Sequence, residues 1–310
     1  MASNSLARTS ITTFDHAYDQ VLAEAKVDVG QVRKDVLGFH ENNFNPTLVS
    51  CSHCLSMPSI SSLLNDISDT ALILQQVYIS NNPNPVGSKN NLQVSSLNIE
   101  YDQEHKKEHT YFSKVQEQFG FYDIFFINTK GNIIYSVFKE VDFATSLVTG
   151  PYRNSGLAKS YESALKLNDG ELAFVDFSLY VPSYNAPVGF IATPVFNESS
   201  EKIGVLAIQF PIDKLNAKMS DRTGLGETGE VYLVGDDLRM RSDSYLDSDN
   251  YSVVESFRNG DEGKVETEAV KRALAGETGT GIILNYKGDE VLSAFSPFTL
   301  KGLHWPLLPK

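Results

Sequence analysis

The chain has 310 residues, 41% of them hydrophobic and 21% charged, enough for two modest cores in a soluble globular protein. A formal net charge of -13 argues against a nucleic-acid partner, since phosphate binding relies on Lys and Arg displacing counterions. No run approaches the roughly 18 apolar residues that span a bilayer, and no charged-then-apolar leader opens the chain, so the sequence reads as a soluble protein or an excised domain.

From Ile11 the apolar positions fall at Ile11, Phe14, Tyr18, Val21, Ala25, Val29, Val32 and Val36, steps of three or four that predict one long helix ending near Gly38. So regular a stripe needs an opposing surface, either the chain's own core or the same helix of a second copy, and it suits a parallel homodimer. Residues 42–57 read as an Asn/Pro/Cys-bearing loop. It holds Cys51 and Cys54 in CSHC, which fits a local disulfide, a redox pair or half of a zinc site. Helical spacing resumes over residues 59–79 through Ile60, Leu63, Leu64, Ile67, Ala71, Leu74 and Tyr78. A polar loop over 81–96 leads to a charged helix over 102–119, stopped by Gly120.

Beyond Gly120 the period switches to strands. Residues 122–128 and 132–138 form a hairpin about Lys130-Gly131; a helix over 155–167 follows the loop through Gly150 and Pro151, stopped by Asp169-Gly170. Three more strands take 172–180, 188–196 and 203–210, the last two an antiparallel hairpin about the polar NESSEK turn. Five strands with a helical insertion after the second make one antiparallel α+β module. The strand 172–180 sets Asp176 among Ala173, Phe174, Val175, Phe177 and Leu179, where a carboxylate must find a partner, stay near water or take up a proton. That marks it as the place to look for a ligand.

A short helix with Leu215 and Met219 opens a second unit on the same plan: strands at 230–235 and 238–242, a helix over 267–274, and strands at 281–286, 291–297 and 304–308. The turn GETG occurs at Gly226–Gly229 and again at Gly276–Gly279, each time ahead of a strand. The chain thus divides into a helical stalk and cover over 1–100, a first module over 101–213 and a second over 214–310.

The stretches FGFYDIFFINTKGNIIYSV, KEVDFATSLVTGPYRNSGLAKSYESA, FVDFSLYVPS, GVLAIQFPIDKLN and GLGETGEVYLVGDDLRMRSDS, taken in series from Tyr101 to Trp305, resemble the double-Cache (tandem PAS-like) sensor region of bacterial transmembrane receptors. The resemblance implies an α+β fold, a long N-terminal helix followed by two PAS-like modules with antiparallel sheets. It also implies a periplasmic or extracellular place between two transmembrane helices that this sequence lacks, with a histidine kinase, chemoreceptor or cyclase as output. No cofactor is implied. A small ligand would lie in the membrane-distal module, between its sheet and the loop after the second strand. The family's amino-acid binders carry Arg-x-Trp-Tyr in that loop and an Asp near the end of the last distal strand. Here the loop reads TGPYRNSGLAKSY, with Arg153 as a displaced cation, and Gln209 stands where the Asp would be. This favours an amine or a purine-like ligand over an α-amino acid. The third-strand Asp is matched by Asp176, so the resemblance places Asp176, Tyr180 and Tyr184 at the ligand, with Tyr122, Tyr135, Ser155 and Gln209 around them.

Three motifs have blander readings. Gly224–Gly229 satisfies G-x-G-x-x-G but precedes a strand instead of following one, so it reads as a turn, not a dinucleotide loop. His105-Lys-Lys-Glu-His109 matches H-x-x-E-H, which would make the protein a secreted zinc hydrolase with Glu108 as base, or simply the solvated face of a charged helix. Arg239, Arg241 and Asp243 in LRMRSDS begin the second module's pocket-facing segment by analogy, or else form a salt-linked structural turn.

Overall fold

The computed structural model describes residues 2–50, 64–210 and 212–310. They form two compact units, one of Met1–Val175, Tyr180–Asn185 and Gly189–Phe210, the other of Asp176–Leu179, Ala186–Val188 and Pro211–Lys310. Each carries its own antiparallel sheet with helices, an α+β architecture.

The first unit opens with α1 (Ala2–Glu24) and α2 (Val29–Phe39). The single long helix expected from the stripe is therefore two. Asp28 makes the break by accepting hydrogen bonds from the Gly30 and Gln31 amides at 2.9 and 3.3 Å, a carboxylate N-cap that a continuous helix has no use for. The stripe survives the break, because Ile11, Phe14, Tyr18, Val21, Ala25, Val32 and Val36 are all buried in the unit's own core. Phe14 packs on Tyr135 and Tyr101 with ring centroids 4.7 and 5.5 Å apart. The surface that suggests a dimer is occupied within the chain.

The expected loop after Gly38 is helical instead: a π-helical turn, His40–Phe44, runs into α3 (Asn45–Ser50). Local propensity loses to packing here, since Phe44 and Leu48 are buried against Val141 and Tyr152. CSHC, Ile60 and Leu63 lie outside the described residues. Helical structure returns with α4 (Asp69–Gln75), capped by the Ser68 hydroxyl, and a second π-helical turn, Gln76–Ser80. Next comes α5 (Glu100–Phe119), ended by Gly120 at φ 69°. Its sequence looks solvated all round, yet Tyr101, Asp102, His105, Glu108, His109 and Phe112 form a buried face.

The sheet holds β1 (Ile124–Asn128), β2 (Ile133–Ser136), β3 (Ala173–Tyr180), β4 (Ala186–Phe196) and β5 (Lys202–Gln209), in the order β2-β1-β5-β4-β3. β1 runs between β2 and β5, antiparallel to both, with Phe125 opposite Ser136 and Ala207. Between β2 and β3 lies α6 (Gly156–Ala164). Burial on all five residues of β1 shows that both sheet faces are covered.

The second unit holds α7 (Ile212–Met219), β6 (Val231–Leu233), α8 (Val253–Arg258), α9 (Glu268–Leu274), β7 (Gly279–Leu284), β8 (Glu290–Leu300) and β9 (Leu303–Pro309), with sheet order β6-β9-β8-β7. The expected strand at 238–242 is reduced to a bridge between Val234 and Met240. The turn before it is too tight for a ladder: Leu238 is left-handed at φ 66°, and the Arg241 guanidinium lies where a side chain at Gly235 would sit, 2.2 Å from its Cβ position. α8 carries no apolar period of its own and was not expected.

Candidate functional site

The first unit contains a cleft of about 130 Å³. Phe39, Phe44, Tyr122, Phe138, Pro182 and Tyr184 line it, with Glu140, Lys89 and Lys139. The N-terminal helices deliver the first two rings, Phe44 from a π-helical turn of the kind that recurs at binding sites. The others come from the ends of the sheet. After β2 the chain folds back at Lys139, which is left-handed at φ 64°. Asp123 fixes that turn, its Oδ1 accepting from the amides of Ile124, Val137 and Phe138 at 2.7, 2.8 and 2.9 Å. The turn sets Glu140 and Asp142 side by side in the interior.

Glu140 is the cleft's carboxylate. Its oxygens accept from the hydroxyls of Tyr122 at 2.9 Å and Ser183 at 2.6 Å, and Ser183 in turn receives the Gln209 amide at 3.4 Å. Asp142 accepts from the Tyr180 hydroxyl. Burial, then the neighbouring Asp142, pushes Glu140 up to about 8, and burial pushes Asp142 up to about 6. Asp123 is also raised by burial, while burial lowers the Lys139 ammonium. Four polar atoms in this interior, Asp123 Oδ2, Asp142 Oδ1, Gln209 Oε1 and the Tyr152 hydroxyl, find no hydrogen-bond partner among the described residues. Three of the four are acceptors.

Both lysines turn away from ion pairing. Lys139 lies 4.6 and 4.9 Å from the ring centroids of Tyr135 and Phe143 and donates to the Ser136 carbonyl. Lys89 donates to the Asn82 carbonyl at 2.8 Å and stands 5.5 Å from the Phe39 ring.

Of the residues singled out in the sequence, Tyr122 and Tyr184 line the cleft, and Tyr180 and Gln209 lie in the polar network behind it. Tyr135 is buried in the aromatic core, its hydroxyl 2.8 Å from His109 Nδ1. Ser155 caps α6 by accepting from the Ala158 amide at 3.2 Å. Asp176 counts with the second unit. There its two oxygens receive Nε and Nη2 of Arg241 at 2.8 and 2.9 Å, and the Trp305 indole donates at 3.1 Å. The counter-charge that the sequence leaves open is therefore Arg241, 65 residues away, while Arg153 pairs with Asp66 at 2.7 Å. Arg241 also bonds Asp237 at 2.9 Å, which makes LRMRSDS a salt-linked turn.

Asp123, Glu140 and Asp142 were not singled out. The signal for Glu140 and Asp142 lies in KEVDF, acids directly after an apolar strand, and that for Asp123 in YDIFF, an acid directly before one, but nothing local says which of them folds inward. The histidines of HKKEH, read as solvated or zinc-binding, are instead buried and stacked at 4.2 Å. His105 Nδ1 lies 2.8 Å from the Gln93 carbonyl, His109 Nε2 lies 2.6 Å from that of Asn90, and Glu108 accepts from Ser10 at 3.2 Å. Among the described residues no group of three His, Cys, Asp or Glu is placed to hold a metal ion.

A family model, dCache_1, described as a Cache domain, matches residues 59–308. None of the curated proteins matches the sequence. Similar solved structures include the extracellular domain of vpHK1S-Z8, assigned as a histidine kinase (14% identity, 67% of this chain and 76% of that one, TM-score 0.43). Another is the ligand-binding domain of the Pseudomonas fluorescens chemoreceptor CtaA in complex with L-serine (14%, 89% and 97%, 0.41). A third is that of the Pseudomonas aeruginosa PAO1 amino acid chemoreceptor PctB in complex with L-Arg (18%, 62% and 71%, 0.40).

Proposed function

The chain belongs to the Cache domain family, and on that premise we propose that it is the extracytoplasmic sensor of a two-pass receptor of the histidine kinase or chemoreceptor type, binding a small cationic ligand in the cleft beside Glu140 and catalysing nothing. In this reading the first unit is the membrane-distal module and the second the membrane-proximal one. No helix among the described residues is long and apolar enough to cross a membrane.

One observation carries the ligand class. A buried carboxylate lines an aromatic cleft, lacks a cation within ion-pair distance among the described residues, and is held near pKa 8 by burial and by Asp142. At neutral pH Glu140 keeps its proton, and a ligand ammonium, which favours the ionised form, supplies the counter-charge as that proton leaves to solvent. An α-amino acid fits less well, because Arg153 is paired elsewhere and the amines of Lys89 and Lys139 are engaged by carbonyls and rings. Tyr122 and Tyr184 would pack on the ligand, with Tyr180 and Gln209 holding the network behind Glu140. Tyr135, Ser155 and Asp176 would act as supports. A thermal-shift screen of amines, purines and carboxylates tests this. Amines should raise the melting temperature, by the equivalent of about 2.7 kcal/mol at a hundred times the dissociation constant, and Glu140→Gln should weaken them at least tenfold. Stabilisation by carboxylates with amines silent would reject the reading.

A further inference from the structure

We infer that the cleft takes a methylated ammonium, a fixed positive charge that carries no N–H groups and is about the size of choline. This rests on the reading of the cleft as a cation site. Three features narrow it.

The first is how Glu140 is already used. Each of its oxygens accepts a hydroxyl, from Tyr122 and from Ser183, so a bound cation that draws off the proton burial holds on Glu140 finds charge more than vacant acceptor positions. A primary ammonium has three N–H groups to satisfy on leaving water, and no second carboxylate lines the cleft among the described residues. A quaternary ammonium has none to satisfy and loses less on desolvation.

The second is the lining. Phe39, Phe44, Tyr122, Phe138 and Tyr184 put five aromatic rings around one carboxylate. Ring quadrupoles attract cations, most strongly where water is excluded, and quaternary ammonium groups exploit this best. The chain itself already places cations this way. Lys139, buried, has the rings of Tyr135, Phe143 and Tyr78 within 5.8 Å, Lys89 stands over Phe39, and neither has a carboxylate within 4 Å among the described residues.

The third is size. The cleft is small, about 130 Å³, the scale of a choline-sized cation.

Calorimetric titration of the whole chain with choline, tetramethylammonium and ethanolamine decides the matter. Choline should bind at least tenfold more tightly than ethanolamine, with tetramethylammonium between them. Glu140→Gln should weaken choline at least tenfold. Tyr184→Leu should weaken choline about fivefold while leaving ethanolamine unchanged, since it removes a ring and no charge; Phe138→Leu serves if that variant does not fold. Ethanolamine binding as tightly as choline would overturn this inference and leave the cation site standing. Silence from all three cations, with a carboxylate or purine binding, would overturn both.

Discussion

Asp176 shows how a single side chain can be legible in kind and illegible in role. Its position within an apolar strand requires a partner, and the sequence says so. That the partner is Arg241 follows only from the fold, since no local spacing links residues 65 apart. Arg241 is almost wholly buried, with 1% of its side chain exposed against 25% for Asp176. Removing one partner of a buried pair costs about 3–5 kcal/mol, because the other charge is left uncompensated. Asp237 remains beside Arg241 and softens that loss. Asp176→Asn should therefore destabilise the ligand-free protein by about 2 kcal/mol in urea denaturation. Unchanged stability would return Asp176 to the list of ligand contacts. The cleft carboxylates act in the opposite sense. Glu140 is held at about 8 in the folded protein against about 4.3 when unfolded, so between these values the folded state keeps a proton that the unfolded state has lost. The contribution of Glu140 to stability falls as pH rises through that window, and Asp142, at about 6, and Asp123, at about 7, act in the same sense, while His40, His109 and Lys139, all lowered by burial, act in the opposite one. The Glu140 share is therefore read as a difference between two proteins in denaturation at pH 5, 6.5 and 8. Glu140→Gln, which cannot ionise, should gain stability relative to the original chain between 6.5 and 8; an unchanged difference would mean that Glu140 is not the titrating group.

At the scale of elements, the most regular pattern in the sequence is the easiest to find and the easiest to misassign. The N-terminal stripe is real, but periodicity reports only that a face is covered, not what covers it. Here the cover is the unit's own aromatic core, and the stripe continues through a helix break that Asp28 creates. Phe14, with none of its surface exposed, packs on Tyr101, Phe126 and Tyr135. Phe14→Ala should cost about 3–5 kcal/mol through the cavity it leaves, with the sedimenting mass unchanged. Were stability retained and a dimer lost instead, the stripe would be an interface. The buried face of α5 was hidden for a related reason. Asp102, His105, Glu108 and His109 look like solvent-facing residues, and the carbonyls of Asn90 and Gln93, the amides of Ser95 and Ile99 and the hydroxyls of Tyr78, Tyr135 and Ser10 make their burial tolerable. Ser10 and Tyr135 come from distant parts of the chain.

For the whole molecule, the strand positions apart from 238–242, the antiparallel sheets and the helix between β2 and β3 were readable, because alternation and turn residues are local signals. The cleft was half readable. Tyr122, Tyr184 and Gln209 were placed there, whereas Phe39 lies just past the expected helix end at Gly38, Phe44 sits in a segment whose Asn-rich composition reads as loop, and Glu140 competes with Asp142 two residues on. The division of the chain adds a practical constraint on dissection. Since Asp176–Leu179 and Ala186–Val188 count with the second unit, that unit is not a continuous stretch of sequence. A fragment cut at Pro211 and expressed alone would keep Arg241 and Trp305 but leave behind the carboxylate that both of them bind. A genetic fusion that swaps this unit between proteins should therefore carry the two short strand segments with it, or replace Arg241 with an uncharged side chain.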